Sequence, residues 1–458
     1  MPILRRRLAL LTLLLILTAC DFAPAGSPIP GALTNPPSPP AAPTSTPANA
    51  PSPVLATPAA RTPTLPSMSA AAQAYLAAAM AYMQENSVRR DKVDWAAIRA
   101  EAFQTAAHAQ SSADTYDAIA VALYRLGDQH SRFVDPQEAS RFPTQQDLSI
   151  GLLVDYAEQV VTAVQAGSPA DRAGVRQGDI VTAINGTPAR PQAPGAFFAA
   201  IYTGTEVTLT LQRPGSARPV TARITHDPVD SDHLPQGRRL GGNFGYVALP
   251  SGPAPGINDE YAAIMQQIIR VIDRTPTCGW VVDLQHDQGG ALDPMVLGVG
   301  PILGDGEAGA SIPASGPPVP WSYREGIYRH GTYTAAVAMP YALKQPFPPV
   351  AVLTSRDTAS AGEAVAISFR GRAGSRSFGA ATAGVPTGNS THYLSDGAAI
   401  ILTTALEADR TGHVYGLTER IAPDQLVANP DPRTMGTDAD PVLRAAVAWL
   451  QTQPGCDP

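Results

Sequence analysis

Apolar residues recur at helical spacing in three early stretches, "AAAQAYLAAAMAYMQENS", "VDWAAIRAEAFQTAAHA" and "SADTYDAIAVALYRLGDQHS". Each predicts a helix with one buried face. Asp94 stands as an N-cap before Trp95, Ser112 or Asp114 opens the third helix, and Gly127 ends it. From residue 148 the period shortens. "LSIGLLV", "EQVVTAVQ", "TEVTLTLQRPG" and "PVTARITHDPV" read as strands, with a small helix and a Gly-Asp turn between them. From Asn243 the pattern alternates. "FGYVALP" is a strand, "INDEYAAIMQQIIRVIDRT" an amphipathic helix, and "GWVVDLQ" and "PPVAVLT" are apolar strands. The last of these leads into a helix-like stretch from Ala361 to Arg370, and "GAAIILTTA" is a late strand. Short apolar runs alternating with helices predict an α/β core.

Two segments at the front do not read as folded structure. Arg5-Arg6-Arg7 precede an apolar run from Leu8 to Leu17, which is short for a membrane span. Leu17-Thr18-Ala19-Cys20 then resembles a bacterial lipobox, which implies cleavage before Cys20 and lipidation of its thiol. Residues 21–66 are dense in Pro, Ala, Ser and Thr and nearly free of charge, as in an extended tether. The expected organisation is a lipoprotein signal peptide over 1–20, a Pro-rich linker over 21–66, a helical subdomain over 67–147, a second module over 148–228 and an α/β core over 229–458.

Composition narrows the function. The 458 residues are 44% hydrophobic with a net charge of −7, so sizeable cores are available and no basic nucleic-acid groove is expected. Neither zinc-ligand spacing nor a phosphate loop is present, so no metal or other cofactor is expected. The only lysines are Lys92 and Lys344, which limits the choice of a catalytic base. After Cys20 only Cys278 and Cys456 remain; a pair of cysteines in an exported chain predicts a disulfide.

Four stretches carry candidate chemistry. In "DTASAGEA", Ser360 sits between an apolar strand and a helix, where unpaired backbone N–H groups favour developing negative charge. An ordinary N-cap serine looks the same. In "VVDLQHDQGGALDPM", Gly289 and Gly290 end a buried strand and can present an N–H to a carbonyl oxygen; a tight turn also uses such a pair. In "RLGDQHSRF", His130 lies just past a helix end, and in "RTGHVYGLTERIAPD" Glu419 could orient a histidine.

Together these stretches resemble a family. "AGSPADRAGVRQGDIVTAINGTP" is similar to bacterial PDZ modules, and Ile150, Gly151 and Leu152 occupy the slot of the loop that binds a peptide carboxylate. The order "LGDQHS", PDZ, "VVDLQHDQGG", "DTASAGE", "SFGAATAG", "IAPD" resembles the C-terminal-processing (tail-specific) serine peptidases, nearest their tricorn-like branch. The resemblance spans about residues 70 to 445. It implies a crotonase/ClpP-like β-β-α spiral core with an N-terminal helical subdomain and an α+β PDZ domain. It further implies Ser360 as nucleophile, with Ala361 and Gly289 or Gly290 amides as the oxyanion hole.

One branch of that family pairs the serine with a lysine, but the matching slot here is Val385, and neither lysine falls in it. The other branch uses a histidine in the slot of His130. The orienting carboxylate is left open between Glu363, three residues after the serine, and Glu419, which the histidine branch favours. Where the family motif carries Arg and Asn, this chain has Gln285 and Asp287. The expectation is a lipid-anchored, extracytoplasmic serine endopeptidase acting on protein or peptide substrates at the cell membrane. The rival is a catalytically silent, PDZ-containing peptide-binding lipoprotein, motivated by the altered motif.

Overall fold

A computed structural model describes residues 67–140, 150–190, 192–226, 234–252, 258–429 and 431–456. Cys20, the lipobox and the tether lie outside the described residues.

The N-terminal helices run over Ala70–Asn86, Trp95–Thr105 and Tyr116–Leu126. Asp94 caps the second by accepting from the amides of Ala96 and Ala97. The third opens differently from the reading of Ser112 or Asp114 as its cap. A short 3-10 turn, Ala113–Thr115, leads into it, while the Asp114 carboxylate accepts from the amides of Gln110 and Ser111. Gly127, at φ 68°, closes the helix. Leu76, Met80, Met83, Ile119 and Leu126 are fully buried against Ile400 and Leu402 of a distant strand. This region is therefore not only helical: Arg132–Val134 forms a strand paired antiparallel with Ala399–Ile401.

A six-stranded sheet follows, built from Leu152–Asp155, Val160–Val164, Ile180–Ile184, Glu206–Gln212 and Val220–Thr225, with the short Thr187–Pro188 added. Glu206–Gln212 alternates exposed and buried positions, the mark of a sheet packed on one face. Its core is Ile150, Val161, Phe197, Ile201, Leu209 and Leu211. Leu152–Asp155 lies at the sheet edge.

The core holds two further sheets. One has the order Gln425–Leu426, Ser375–Gly379, Val350–Thr354, Gly279–Asp283, Phe244–Ala248, Gln236–Leu240. All neighbours are parallel except the last pair, a hairpin. Parallel strands bury both faces, and every residue of Gly279–Asp283 and Val350–Thr354 is buried. Trp280 and Val282 face the cluster that includes helices Asn258–Ile272, Leu292–Leu303 and Ala361–Phe369. Val281 faces helix Pro441–Leu450 on the other side. Truncating a fully buried aromatic such as Trp280 to alanine costs about 3–5 kcal/mol. Cys278 and Cys456 are disulfide-bonded with Cα atoms 5.2 Å apart, which ties the C-terminal tail to the start of strand Gly279–Asp283.

The other sheet is antiparallel and centres on the long strand Ala399–Asp409. Arg132–Val134, Gly306–Pro313 and Thr387–Tyr393 all pair with it, and Val319–Arg324, Ile327–His330 and Tyr333–Ala336 extend the sheet beyond Gly306–Pro313. Strand Gly306–Pro313 escapes the apolar-run reading because its buried residues, Ala308, Gly309 and Ala310, are small.

Candidate active site

Strand Val350–Thr354 delivers the chain to a turn that is fastened throughout. The Ser355 hydroxyl donates to the Gln285 carbonyl at 2.5 Å, and the Thr358 hydroxyl donates to that of Leu284 at 2.8 Å. The amide of Ala359 donates to the Asp287 carbonyl at 2.9 Å. The turn ends at Ser360, whose φ of 53° is rare for a residue with a side chain. Helix Ala361–Phe369 begins immediately after it. Glu363, fully buried, accepts from the Ser360 amide at 3.0 Å, from the Gly384 and Val385 amides at 3.0 and 2.9 Å, and from the Thr382 hydroxyl. Burial raises its carboxyl above the ordinary range, and these four donors oppose that. Glu363 thus clamps the serine turn to the loop at 382–385.

The glycine pair is packed against this turn. A Cβ on Gly289 would stand 2.7 Å from the Ser360 Cβ and 2.9 Å from the Ala359 carbonyl. One on Gly290 would stand 2.6 Å from the Gly252 carbonyl. Both have positive φ, 104° and 130°, so glycine is required twice over. The Gly289 amide is engaged, donating to Asp287 Oδ1 at 2.9 Å. Gly290 lines the cavity in front of Ser360, as does Ala361. The two glycines thus differ: the Gly289 amide is spent on Asp287, whereas Gly290 borders the cavity.

Asp287 is fully buried, and its Oδ2 has no hydrogen-bond partner. Burial pushes its carboxyl well above the usual range, opposed by the Gly289 amide. At the position where the family motif carries Asn, Asp287 Oδ1 offers the Gly289 amide the same kind of acceptor as an asparagine side-chain carbonyl. Gln285, also buried, donates to Asp440 Oδ2 at 2.8 Å and to Asp283 Oδ2 at 3.3 Å.

The histidine arrives from the opposite side. Just past Gly127, Asp128 accepts from the amides of His130 and Ser131 and from the Ser131 hydroxyl, which fixes the turn. His130 Nδ1 lies 2.7 Å from the Thr387 hydroxyl. Burial lowers the imidazole pKa below its ordinary value; nearby Asp128 raises it and Arg132 lowers it further. The ring is therefore neutral at neutral pH. His130, Thr387, Gly290, Ser360 and Ala361 line one cavity of about 1400 Å³.

Other residues singled out in the sequence fall differently. Neither glutamate takes the orienting position on His130, where the Thr387 hydroxyl stands. Glu419 accepts from the Gly416 amide at 2.8 Å and lies 3.5 Å from His413, while Glu363 serves the serine turn. Gly151 reaches the same cavity from beside the edge strand Leu152–Asp155. Ile150 is buried, its carbonyl accepting from Ala170, and the Leu152 carbonyl accepts from the Tyr202 hydroxyl at 2.6 Å. Lys344 binds the Arg274 carbonyl, and neither lysine lines the cavity. His392 stacks on Tyr82. Thr387 carries no local signal in the sequence: its contact with His130 depends on strand Thr387–Tyr393 pairing with Ala399–Asp409.

Residues 243–427 match peptidase family S41, and residues 160–213 match the PDZ domain. The match to the S41 family thus falls within the α/β core. A nisin-resistance protein of Lactococcus lactis subsp. lactis is 30% identical over 175 residues, 38% of this chain and 50% of that protein. The chain thus aligns with half the length of that relative. A chloroplastic C-terminal processing peptidase of Tetradesmus obliquus is 26% identical over 72% of this chain and 73% of its own. Among solved structures, a lipoprotein from Streptococcus agalactiae superposes with a TM-score of 0.52 at 18% identity, over 84% of this chain and 97% of that one. That likeness speaks for the fold alone. Among the described residues, no helix is long and apolar enough to cross a membrane, and no cluster of metal-binding side chains occurs.

Proposed function

We propose that the protein is a serine endopeptidase of the S41 type, anchored to the extracytoplasmic side of the cell membrane through a lipidated Cys20. The observation that carries the catalytic part is the convergence of Ser360, His130 and the backbone at Gly290 and Ala361 on one cavity. Ser360 Oγ attacks a peptide carbonyl. His130 Nε2 takes the hydroxyl proton while the Thr387 hydroxyl steadies Nδ1. The Gly290 and Ala361 amides receive the oxyanion, aided by the helix N-terminus at Ala361. His130 then returns the proton to the leaving amine, and water releases the acyl group from Ser360.

The S41 core supplies the remaining framework: parallel strands followed by helices, in keeping with a crotonase/ClpP-like spiral. The PDZ module would hold a substrate segment along Leu152–Asp155, an edge strand whose neighbour Gly151 opens onto the same cavity. Asp287 braces the Gly289 amide, which supports the peptidase reading over that of a silent peptide-binding protein. The reading is tested by incubating unfolded proteins with the purified protein and sequencing the products by mass spectrometry. Internal cleavages that vanish in Ser360→Ala are expected, and identical product sets from both proteins would refute it. In cells, Cys20→Ala is expected to leave the membrane fraction; retention after a high-salt wash would refute the anchor.

A further inference from the structure

One wall of the cavity holds a carboxyl that the proposed mechanism does not use. Glu407 sits on strand Ala399–Asp409, is 5% exposed and lines the cavity. Its Oε2 has no hydrogen-bond partner. Buried polar groups in folded proteins are nearly always paired, because an unpaired one forfeits its hydration for nothing. Ser311 stands opposite Glu407 on the neighbouring strand, and its hydroxyl lies 3.0 Å from His330 Nε2. Both of these also line the cavity. The wall therefore has an unspent acceptor beside an ordered polar pair, and it borders the same space as the nucleophile.

The charge around this wall is one-sided. Among the described residues that line the cavity, Glu260, Asp293 and Glu407 are acidic, and Arg132, which Glu138 holds at 2.7 Å, is the one lysine or arginine. Glu363 stands near enough to Glu407 to raise its pKa. The groups facing Glu407 from the packed elements are Glu363 on helix Ala361–Phe369 and Tyr328 and His330 on strand Ile327–His330, with Ser311 on Gly306–Pro313. None of these is a cation at neutral pH: His330 is held neutral by burial, opposed by a hydrogen bond with Val319. We propose that Glu407 is the floor of a substrate subsite that takes a basic side chain, lysine or arginine, close to the bond cleaved at Ser360.

This rests on the peptidase reading and says which substrates it favours. Burial first and Glu363 second push the Glu407 carboxyl up to about 8, so it is mostly protonated near pH 7. An entering ammonium or guanidinium brings several N–H donors and the missing positive charge. Glu407 then releases its proton to solvent and binds as a carboxylate, a buried pair that neither partner forms alone.

The test uses the full chain and acetylated alanine hexapeptide amides carrying lysine, norleucine or glutamine at one position, scanned along the peptide. At one position the lysine peptide should exceed the norleucine peptide in kcat/KM by at least about tenfold. Glu407→Gln should collapse that ratio towards one, because the isosteric amide keeps the shape and loses the charge. A second arm needs neither hydrolysis nor a folded Glu407 variant. Ser360→Ala, with Glu407 intact, is titrated calorimetrically at pH 7 in buffers of different ionisation enthalpy. The lysine peptide should bind more tightly than the norleucine peptide and release a proton. Equal affinities, binding of lysine without proton release, or a lysine preference that survives Glu407→Gln would each overturn the subsite. Failure of the wild type to cleave any peptide, by contrast, defeats the peptidase reading, and the binding arm still decides the subsite.

Discussion

The two halves of the site are built in different ways. The serine half is local. Its residues lie in two stretches, 284–290 and 354–363, at the ends of adjacent parallel strands, Gly279–Asp283 and Val350–Thr354. Close backbone approaches and buried hydrogen bonds fasten it, and a residue with positive φ stands at its centre. The histidine half is assembled over distance. His130 follows an N-terminal helix, and the hydroxyl at its ring belongs to Thr387, 257 residues later in the chain. A nucleophile can be given by two turns of chain, whereas placing its base needs the antiparallel sheet to join both ends of the folded region.

Breaking the serine half should cost most. Ser360→Ala is expected to lower peptide hydrolysis by at least about 10³-fold with unchanged melting temperature, since removing a nucleophile leaves only binding and oxyanion stabilisation. Gly289→Ala is expected to disable the same half sterically. The new Cβ would stand 2.7 Å from that of Ser360, so both activity and stability should fall, the latter by about 1–3 kcal/mol in denaturant melts. An alanine variant with wild-type rate would show that the glycine loop is less tightly packed than described.

The histidine half should respond in graded fashion. His130→Ala should lose at least about 10²-fold in kcat/KM. Thr387→Val keeps the volume and removes the hydroxyl, and should cost about tenfold. Glu419→Gln, which alters a carboxylate paired with His413 rather than His130, should leave the rate within a factor of about two, as for an exposed pair. A larger loss from Glu419→Gln than from Thr387→Val would return the orienting role to the glutamate. The disulfide should matter least to the chemistry. Cys278→Ser with Cys456→Ser opens a link across 178 residues and should lower the melting temperature, by the equivalent of about 2–5 kcal/mol, while kcat in the cold changes little.

The same contrast explains what the sequence could tell. Ser360, Gly289 and Gly290 were legible because an apolar strand, a small-residue turn and a helix start are local signals. The disulfide followed from the cysteine count. Asp94 was legible as a cap for the same local reason. Thr387 and Glu407 were not. A threonine in "GVPTG" and a glutamate in "TTALEAD" carry no local mark, and each gains meaning only through strand pairing. The strand Arg132–Val134 was hidden likewise, three residues long and dependent on Ala399–Ile401 for its hydrogen bonds.

The central claim is that Ser360 and His130 act on each other across the cavity. The pH dependence of fluorophosphonate labelling tests it most directly. Burial lowers the His130 pKa, so protonation silences the base only below its ordinary 6.5. Labelling of the wild type at Ser360 should therefore be constant above neutrality and fall through one ionisation below pH 6.5. In His130→Ala it should be slower by at least about 10²-fold and lack that limb. Labelling of His130→Ala at the wild-type rate, or with the same acid limb, would contradict the account.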